Sequence, residues 1–169
     1  MAVIEVSDLH KAYGDVHAVA GITFSVAQGE VYGLLGHNGA GKSTTVEILE
    51  GHRQATAGSV SVLGIPAGAA SRELRDRIGI VLQSSGVEPQ LTVAEALRVY
   101  GSPFRTRRSI DDVLEMVDLT AKREARIGTL SGGQRRRLDL GLGIIGQPEV
   151  LFLDEPTTGF DPSARRRAW

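Results

Sequence analysis

Nine consecutive residues, Gly36-His37-Asn38-Gly39-Ala40-Gly41-Lys42-Ser43-Thr44, constrain this chain more than any other stretch. The apolar run Val31-Tyr32-Gly33-Leu34-Leu35 before them reads as a buried strand. The stretch Thr45-Val46-Glu47-Ile48-Leu49-Glu50 after them reads as a helix that stops at Gly51. Strand, glycine loop and helix together make G-x-x-x-x-G-K-[ST], the phosphate-binding P-loop. Such a loop must turn backbone N–H groups toward a chain of phosphates, and side chains would obstruct that approach. Glycine at 36, 39 and 41 removes the obstruction, and the helix N-terminus behind the loop favours an anion. Lys42 is spaced to reach the β- and γ-phosphates, and the Ser43 hydroxyl to ligate Mg²⁺. A glycine-rich turn with an incidental Lys-Ser pair is the competing reading. The flanking strand and helix decide against it, so the chain is expected to bind a nucleoside triphosphate.

Bulk properties narrow the rest. With 169 residues the chain can bury a real core as one domain. Its net charge of −1 gives no general attraction to nucleic acid or to an anionic membrane surface. It has no cysteine, which excludes disulfides and thiolate metal sites. The N-terminus, with Glu5 and no basic start, does not read as a signal peptide. The longest apolar stretch, from Leu140 to Gly146, is far too short to span a bilayer. His10, His17, His37 and His52 have no partner at metal-ligand spacing. The clusters Arg105/Arg107/Arg108, Arg135/Arg136/Arg137 and Arg165/Arg166/Arg167 read as solvated faces rather than a nucleic-acid patch.

Val3 to Leu9 and Ile22 to Val26 alternate as half-buried strands. Lys11-Ala12-Tyr13-Gly14 reads as a turn between them, with an aromatic that spacing alone leaves as a surface ring. Further strands are expected at Ser59–Leu63 and Ile78–Leu82, with a short capped helix at Ser71–Arg77. Capping boxes then open helices at Thr92 and Ser109, and Leu130-Ser131-Gly132-Gly133-Gln134 opens another. Residues 86–146 therefore read as a helical insert, followed by a strand from Pro148 to Glu155. The expected fold is α/β: a P-loop core with a mainly parallel sheet, an N-terminal antiparallel β portion and the helical insert. Residues 1–85 and 147–169 form the core in this division, and 86–146 the insert.

Val150-Leu151-Phe152-Leu153 followed by Asp154 has the form of a Walker B strand, whose terminal aspartate can share Mg²⁺ with Ser43. Glu155 stands one residue further, where a carboxylate could orient or deprotonate the attacking water.

The P-loop, Gln83, Leu130-Ser131-Gly132-Gly133-Gln134 and Asp154-Glu155-Pro156-Thr157 together resemble the nucleotide-binding domain of ATP-binding cassette (ABC) transporters. The resemblance covers the whole chain, and the LSGGQ pentapeptide is its specific element. It implies an ATP hydrolase with ATP and Mg²⁺ as cofactors. Cofactor contacts would come from Tyr13, stacked on adenine, from Gly36, His37, Asn38, Gly39, Ala40, Gly41, Lys42, Ser43 and Thr44, and from Ser131, Gly132, Gly133 and Gln134. Glu155, Gln83 and Lys42 would act in catalysis, and Ser43, Gln83 and Asp154 at the metal. The signature would close on the γ-phosphate held by the other subunit of a head-to-tail dimer, with Gly159-Phe160-Asp161 crossing to the opposite site. Membrane-spanning transporter subunits are the implied partner, no nucleic acid is expected, and the implied location is the cytoplasmic face of the cell membrane. Leu34–Thr45 and Glu155–Gly159 most resemble the ATP-binding subunits of drug and antibiotic efflux pumps.

Members of that family continue beyond Asp161 to a further strand and a switch histidine, whereas here no histidine follows His52. The chain therefore reads as a C-terminally truncated domain. The missing strand would lie between Val31–Leu35 and Val150–Leu153, so a gap is expected there. Two other readings stay open: a nucleotide-binding fragment without turnover, and a soluble ABC ATPase outside transport. The cargo is not legible.

Overall fold

Alternating apolar residues give the first half of the chain its sheet. The computed structural model describes residues 2–68, 71–82 and 86–154, which fall into two units, Met1–Arg75 and Asp76–Trp169. In the first, β1 (Ala2–Tyr13) pairs antiparallel with β2 (Val16–Ala27) and with β3 (Ala57–Val62), and β4 (Ile65–Pro66) extends the sheet. The sheet order is β2-β1-β3-β4. Ile4 and Val6 oppose Val26 and Phe24 on one side and Val62 and Val60 on the other. Five of these six, Phe24 excepted, are buried and form one apolar face with Val19. A register shift between Val6 and Leu9 changes the phase of the alternation. Asp8 takes a left-handed conformation there (φ 49°), and Leu9 then points inward with no exposure at all. Helix α1 (Lys42–Leu49) buries Ile48 and Leu49 in this unit, and α2 (Arg72–Arg77) buries Leu74, with Ser71 Oγ accepting the Leu74 N–H at 3.0 Å.

Two sequence expectations change here. Lys11–Tyr13 is not a turn but the end of β1, because the β1–β2 ladder runs on to the Tyr13–Val16 pair. More consequentially, Val31–Leu35 forms no strand, and Val31 and Leu35 are 79% and 91% exposed. An apolar run becomes a strand only where a neighbour pairs its N–H and C=O groups and covers a face. Among the described residues no strand pairs with this run.

The second unit is built on a parallel pair, β5 (Ile78–Val81) with β6 (Val150–Leu153), in register Ile78–Val150 to Val81–Leu153. Helices α3 (Val93–Gly101), α4 (Ile110–Met116) and α5 (Gly132–Ile144) and two short 3-10 turns, Thr120–Lys122 and Ile127–Thr129, make up most of the remainder. Each of the three helices starts on a hydroxyl that accepts a backbone N–H from three residues on: Thr92, Ser109 and Ser131. Such a cap stabilises a helix by about 1 kcal/mol. Leu97, Val113, Leu114, Leu119, Leu138 and Ile145 form the core they share. Helix α5 also lies directly on β5. A Cβ on Gly79 would stand 2.1 Å from the Gly143 carbonyl oxygen, and one on Gly143 would stand 2.5 Å from Val81 Cγ2. At the start of the pair, Arg77 Nε and Nη2 grip the two Glu149 carboxylate oxygens at 2.5 and 3.0 Å. That hydrogen-bonded pairing, outweighing partial desolvation, holds the Glu149 pKa below its ordinary value.

Candidate functional site

Helix α1 begins differently from α3, α4 and α5. Its N-cap is Gly41, in the left-handed conformation (φ 78°, ψ 10°), and no side chain caps it. The first N–H groups of any helix lack intrahelical partners, and the helix dipole makes that end positive. In α3, α4 and α5 a hydroxyl serves that end; in α1 a glycine loop leaves it to whatever the loop encloses. Gly41 is required twice over, because a Cβ there would also stand 2.2 Å from the Ala18 carbonyl oxygen on β2.

The loop is braced from within. Lys42 Nζ donates to the Gly36 and His37 carbonyls at 2.8 and 2.9 Å. Two of its three donors are thus engaged, and the ammonium is held over the loop. Ala40 N–H donates to His37 O at 3.1 Å, and His37 Nδ1 lies 2.8 Å from Asn38 O. Thr45, only 2% exposed, donates to Gly41 O from both its N–H (2.8 Å) and its hydroxyl (2.9 Å). His37, Gly39, Ala40 and Lys42, with Leu34, Leu35 and Thr45, line one groove of about 350 Å³, whereas Gly36, Asn38, Gly41, Ser43 and Thr44 are their neighbours in the chain and not part of its lining. Its other wall is His17, Ala18, Val19, Ala20 and Ile22 of β2, which the sequence did not single out. Nothing in the linear order of β2 marks this role, because it arises from where β2 backs the loop.

Tyr13 closes β1 with its ring 42% exposed. Lys11 Nζ lies 5.0 Å and Arg53 Cζ 5.6 Å from the ring centroid, within cation–π range. Arg53 is in turn ion-paired with Glu47 of α1, whose hydrogen bond and charge raise the guanidinium pKa further. Glu47 and Arg53 therefore link the Tyr13 ring to the helix that Lys42 begins. This connection was not legible in the sequence either, since the three residues come from separate segments.

In the second unit, Ser131 and Gln134 form a capping box on α5, with Ser131 Oγ accepting Gln134 N–H at 3.2 Å and Gln134 Oε1 accepting Ser131 N–H at 3.0 Å. The Ser131 hydroxyl keeps its own proton to donate. Gly132 and Gly133 follow with ordinary negative φ, and a Cβ on either would meet nothing within 4 Å. Glycine weakens a helix by about 1 kcal/mol relative to alanine, and among the described residues neither a positive φ nor close packing calls for the pair.

Asp154 follows β6, its N–H bonded to Val81 O at 3.0 Å and its side chain exposed. The arginine cluster on α5 is not simply a solvated face. Arg135 donates to Ile127 O at 3.4 Å, Arg137 binds Asp118, and Arg136 donates to Leu82 O at 2.6 Å and Asp154 O at 3.0 Å. Acceptors at element ends recruit these guanidiniums, which sequence patterning cannot foresee. Gln83, Glu155, Gly159, Phe160, Asp161 and the Arg165 cluster lie outside the described residues. The Ser43 hydroxyl of the first unit and the exposed Asp154 carboxylate of the second are each a hard oxygen donor. One or two such groups beside substrate phosphates suit Mg²⁺. Among the described residues no cluster of His, Asp or Glu would make a metal cage.

A family model described as ABC transporter matches residues 19–158. A Nod factor export ATP-binding protein I from Rhizobium sp. (strain N33) is 44% identical over 171 residues, which is 98% of this chain and 56% of that protein. The chain thus spans about half the length of the curated relatives it matches. Among solved structures, cbiO1 of Clostridium perfringens, part of the cbiONQ ABC transporter complex, superposes with a TM-score of 0.86 at 28% identity. That match covers 99% of this chain and 70% of cbiO1. A dimeric bacterial ABC transporter cassette superposes at 0.81 over 97% of this chain and 78% of its own, at 24% identity, a likeness of fold.

Proposed function

The chain belongs to the ABC transporter family, and from that premise we propose that it is the ATP-binding part of an exporter, binding and hydrolysing ATP at the Gly36–Thr44 loop. One observation carries the reading: among the described helices of seven residues or more, α1 alone starts without a side-chain cap, on a glycine loop that holds a lysine ammonium over its opening. That end can take a polyphosphate through backbone N–H groups, helix dipole and Lys42 together. The Lys42 ammonium would exchange its loop carbonyls for phosphate oxygens without moving far. The Tyr13 ring offers a face to adenine, and the β2 wall closes the groove behind the loop.

Mg²⁺, when bound, would neutralise developing phosphate charge, and Ser43, Gln83 and Asp154 are the residues that the family resemblance implies would hold it. Glu155 would take the role of general base toward the attacking water. The open space over Gly132 and Gly133 supports a second copy presenting its nucleotide to Ser131, as in a head-to-tail dimer. Export is supported by the names of the relatives, and an efflux pump for drugs or antibiotics is the finer form of that reading. Among the described residues no helix is long and apolar enough to cross a membrane. The partner that the family resemblance implies, and that we propose, is a membrane-spanning subunit, with this chain peripheral on its cytoplasmic side.

The test is phosphate release from the full chain with ATP, beside Glu155→Gln. Turnover in the parent, with nucleotide retained and release lost in the variant, is the expected outcome. Equal release from both would remove Glu155 from its role, and none from either would favour a nucleotide-binding fragment without catalysis.

A further inference from the structure

We propose that Arg136 is a positioning residue that fixes the backbone at the end of β6, and through it the aim of the Asp154 carboxylate. Its guanidinium spans the ends of both parallel strands, donating from Nη1 to Leu82 O at 2.6 Å and from Nη2 to Asp154 O at 3.0 Å. A planar fork with several fixed donors can bridge two carbonyls in this way without losing its geometry. Asp154 is thereby held on both sides of its Cα: its N–H is bonded to Val81 O at 3.0 Å and its C=O to Arg136. With both flanking peptides fixed, the Cα–Cβ direction is fixed too, while the carboxylate itself stays exposed.

The arginine acts from a helix that is itself anchored. Five residues earlier α5 starts at the Ser131 cap, and further along it Gly143 rests on β5. The neighbouring arginines do other work, Arg135 at Ile127 O and Arg137 at Asp118, so the role is particular to Arg136. One helix thus carries both the signature serine and the clamp on the strand end that bears the metal carboxylate. Leu82 and Asp154 are also the residues that immediately precede Gln83 and Glu155 in the chain.

This inference rests on the reading of Asp154 as a metal ligand, and the experiment separates the two. Mn²⁺ binding to the ATP-loaded full chain is followed by electron paramagnetic resonance for the parent, Arg136→Ala, Arg136→Lys and Asp154→Asn. ATP binding in EDTA is measured alongside. Loss of an outer-shell support typically weakens metal binding by about tenfold or more. Arg136→Ala is expected to weaken Mn²⁺ binding by about that factor and to leave ATP binding in EDTA unchanged. Arg136→Lys keeps the charge but loses the planar fork, and should weaken Mn²⁺ binding by more than about threefold. Parental Mn²⁺ binding by Arg136→Ala, with Asp154→Asn defective, would overturn the role of Arg136 alone. Parental binding by Asp154→Asn would overturn the metal reading and the proposal with it. If Arg136→Ala does not fold, Arg136→Lys decides: parental Mn²⁺ binding in this soluble variant, with Asp154→Asn defective, would overturn the role of the fork.

Discussion

Ser131 and Gln134 hold each other at the start of α5, hydroxyl to N–H at 3.2 Å and amide oxygen to N–H at 3.0 Å. The most family-specific residues of the chain are therefore also a helix cap, and the two duties can be separated. Aspartate caps a helix about as well as serine, but it brings a negative charge. Ser131→Asp should keep the melting midpoint of the parent within about 2 °C. The same variant should lose ATP-dependent dimer formation, read by light scattering on the full chain. Ser131→Ala should melt about 2–4 °C lower, the effect of losing roughly 1 kcal/mol of cap. Retained dimerisation in Ser131→Asp would leave Ser131 with the cap alone.

Lys42 is the cation that the loop itself carries, fixed by the Gly36 and His37 carbonyls. Hydrogen bonds to charged groups are worth about 1.5–3 kcal/mol, or roughly tenfold to a hundredfold in affinity. Lys42→Ala should weaken ATP binding by that factor in an equilibrium titration. Arg98→Ala, on α3, should leave it unchanged. Similar losses from both would detach the loop from nucleotide binding.

The Tyr13 ring, not its hydroxyl, is the expected contact to adenine. Removing such a ring costs about 1–3 kcal/mol of binding per stacked base. Tyr13→Ala should lose ATP affinity accordingly and Tyr13→Phe almost none. Because Arg53 lies over the same ring, Arg53→Ala should leave the Phe variant's affinity close to that of Arg53→Ala alone. An unchanged affinity in Tyr13→Ala returns the residue to a surface role.

Glu149 gives the fold an acid sensitivity of known sign. Its pKa in the folded chain lies below the ordinary 4.5, first because of the Arg77 hydrogen bonds. Protonation is then easier in the unfolded chain, so the stabilisation is complete above pH 4.5 and disappears as pH falls through the depressed value. The pair is partly exposed, which limits its worth to about 0.2–1 kcal/mol. Glu149→Gln should be less stable than the parent near neutral pH, with the difference shrinking as pH falls below 4.5, by urea unfolding followed with circular dichroism. A difference that persists in acid would point to packing rather than charge.

The sequence alone determined what depends on local chemistry. The glycines and lysine of residues 36–44, the hydroxyl caps at Thr92, Ser109 and Ser131, and the alternation of Ile4, Val6, Val60 and Val62 were all legible. Each of these is decided within a few residues by sterics, by unpaired N–H groups or by side-chain period. Only the tertiary structure decided the rest. Val31–Leu35 looked like a strand, but pairing is a property of two segments, and no described strand supplies the second. The β2 wall of the groove, the Glu47–Arg53–Tyr13 link and the Arg136 clamp join residues from separate segments. Nothing in their own neighbourhoods specifies the partner, because a cation or a carbonyl will bond to whichever complement the folded backbone places within reach.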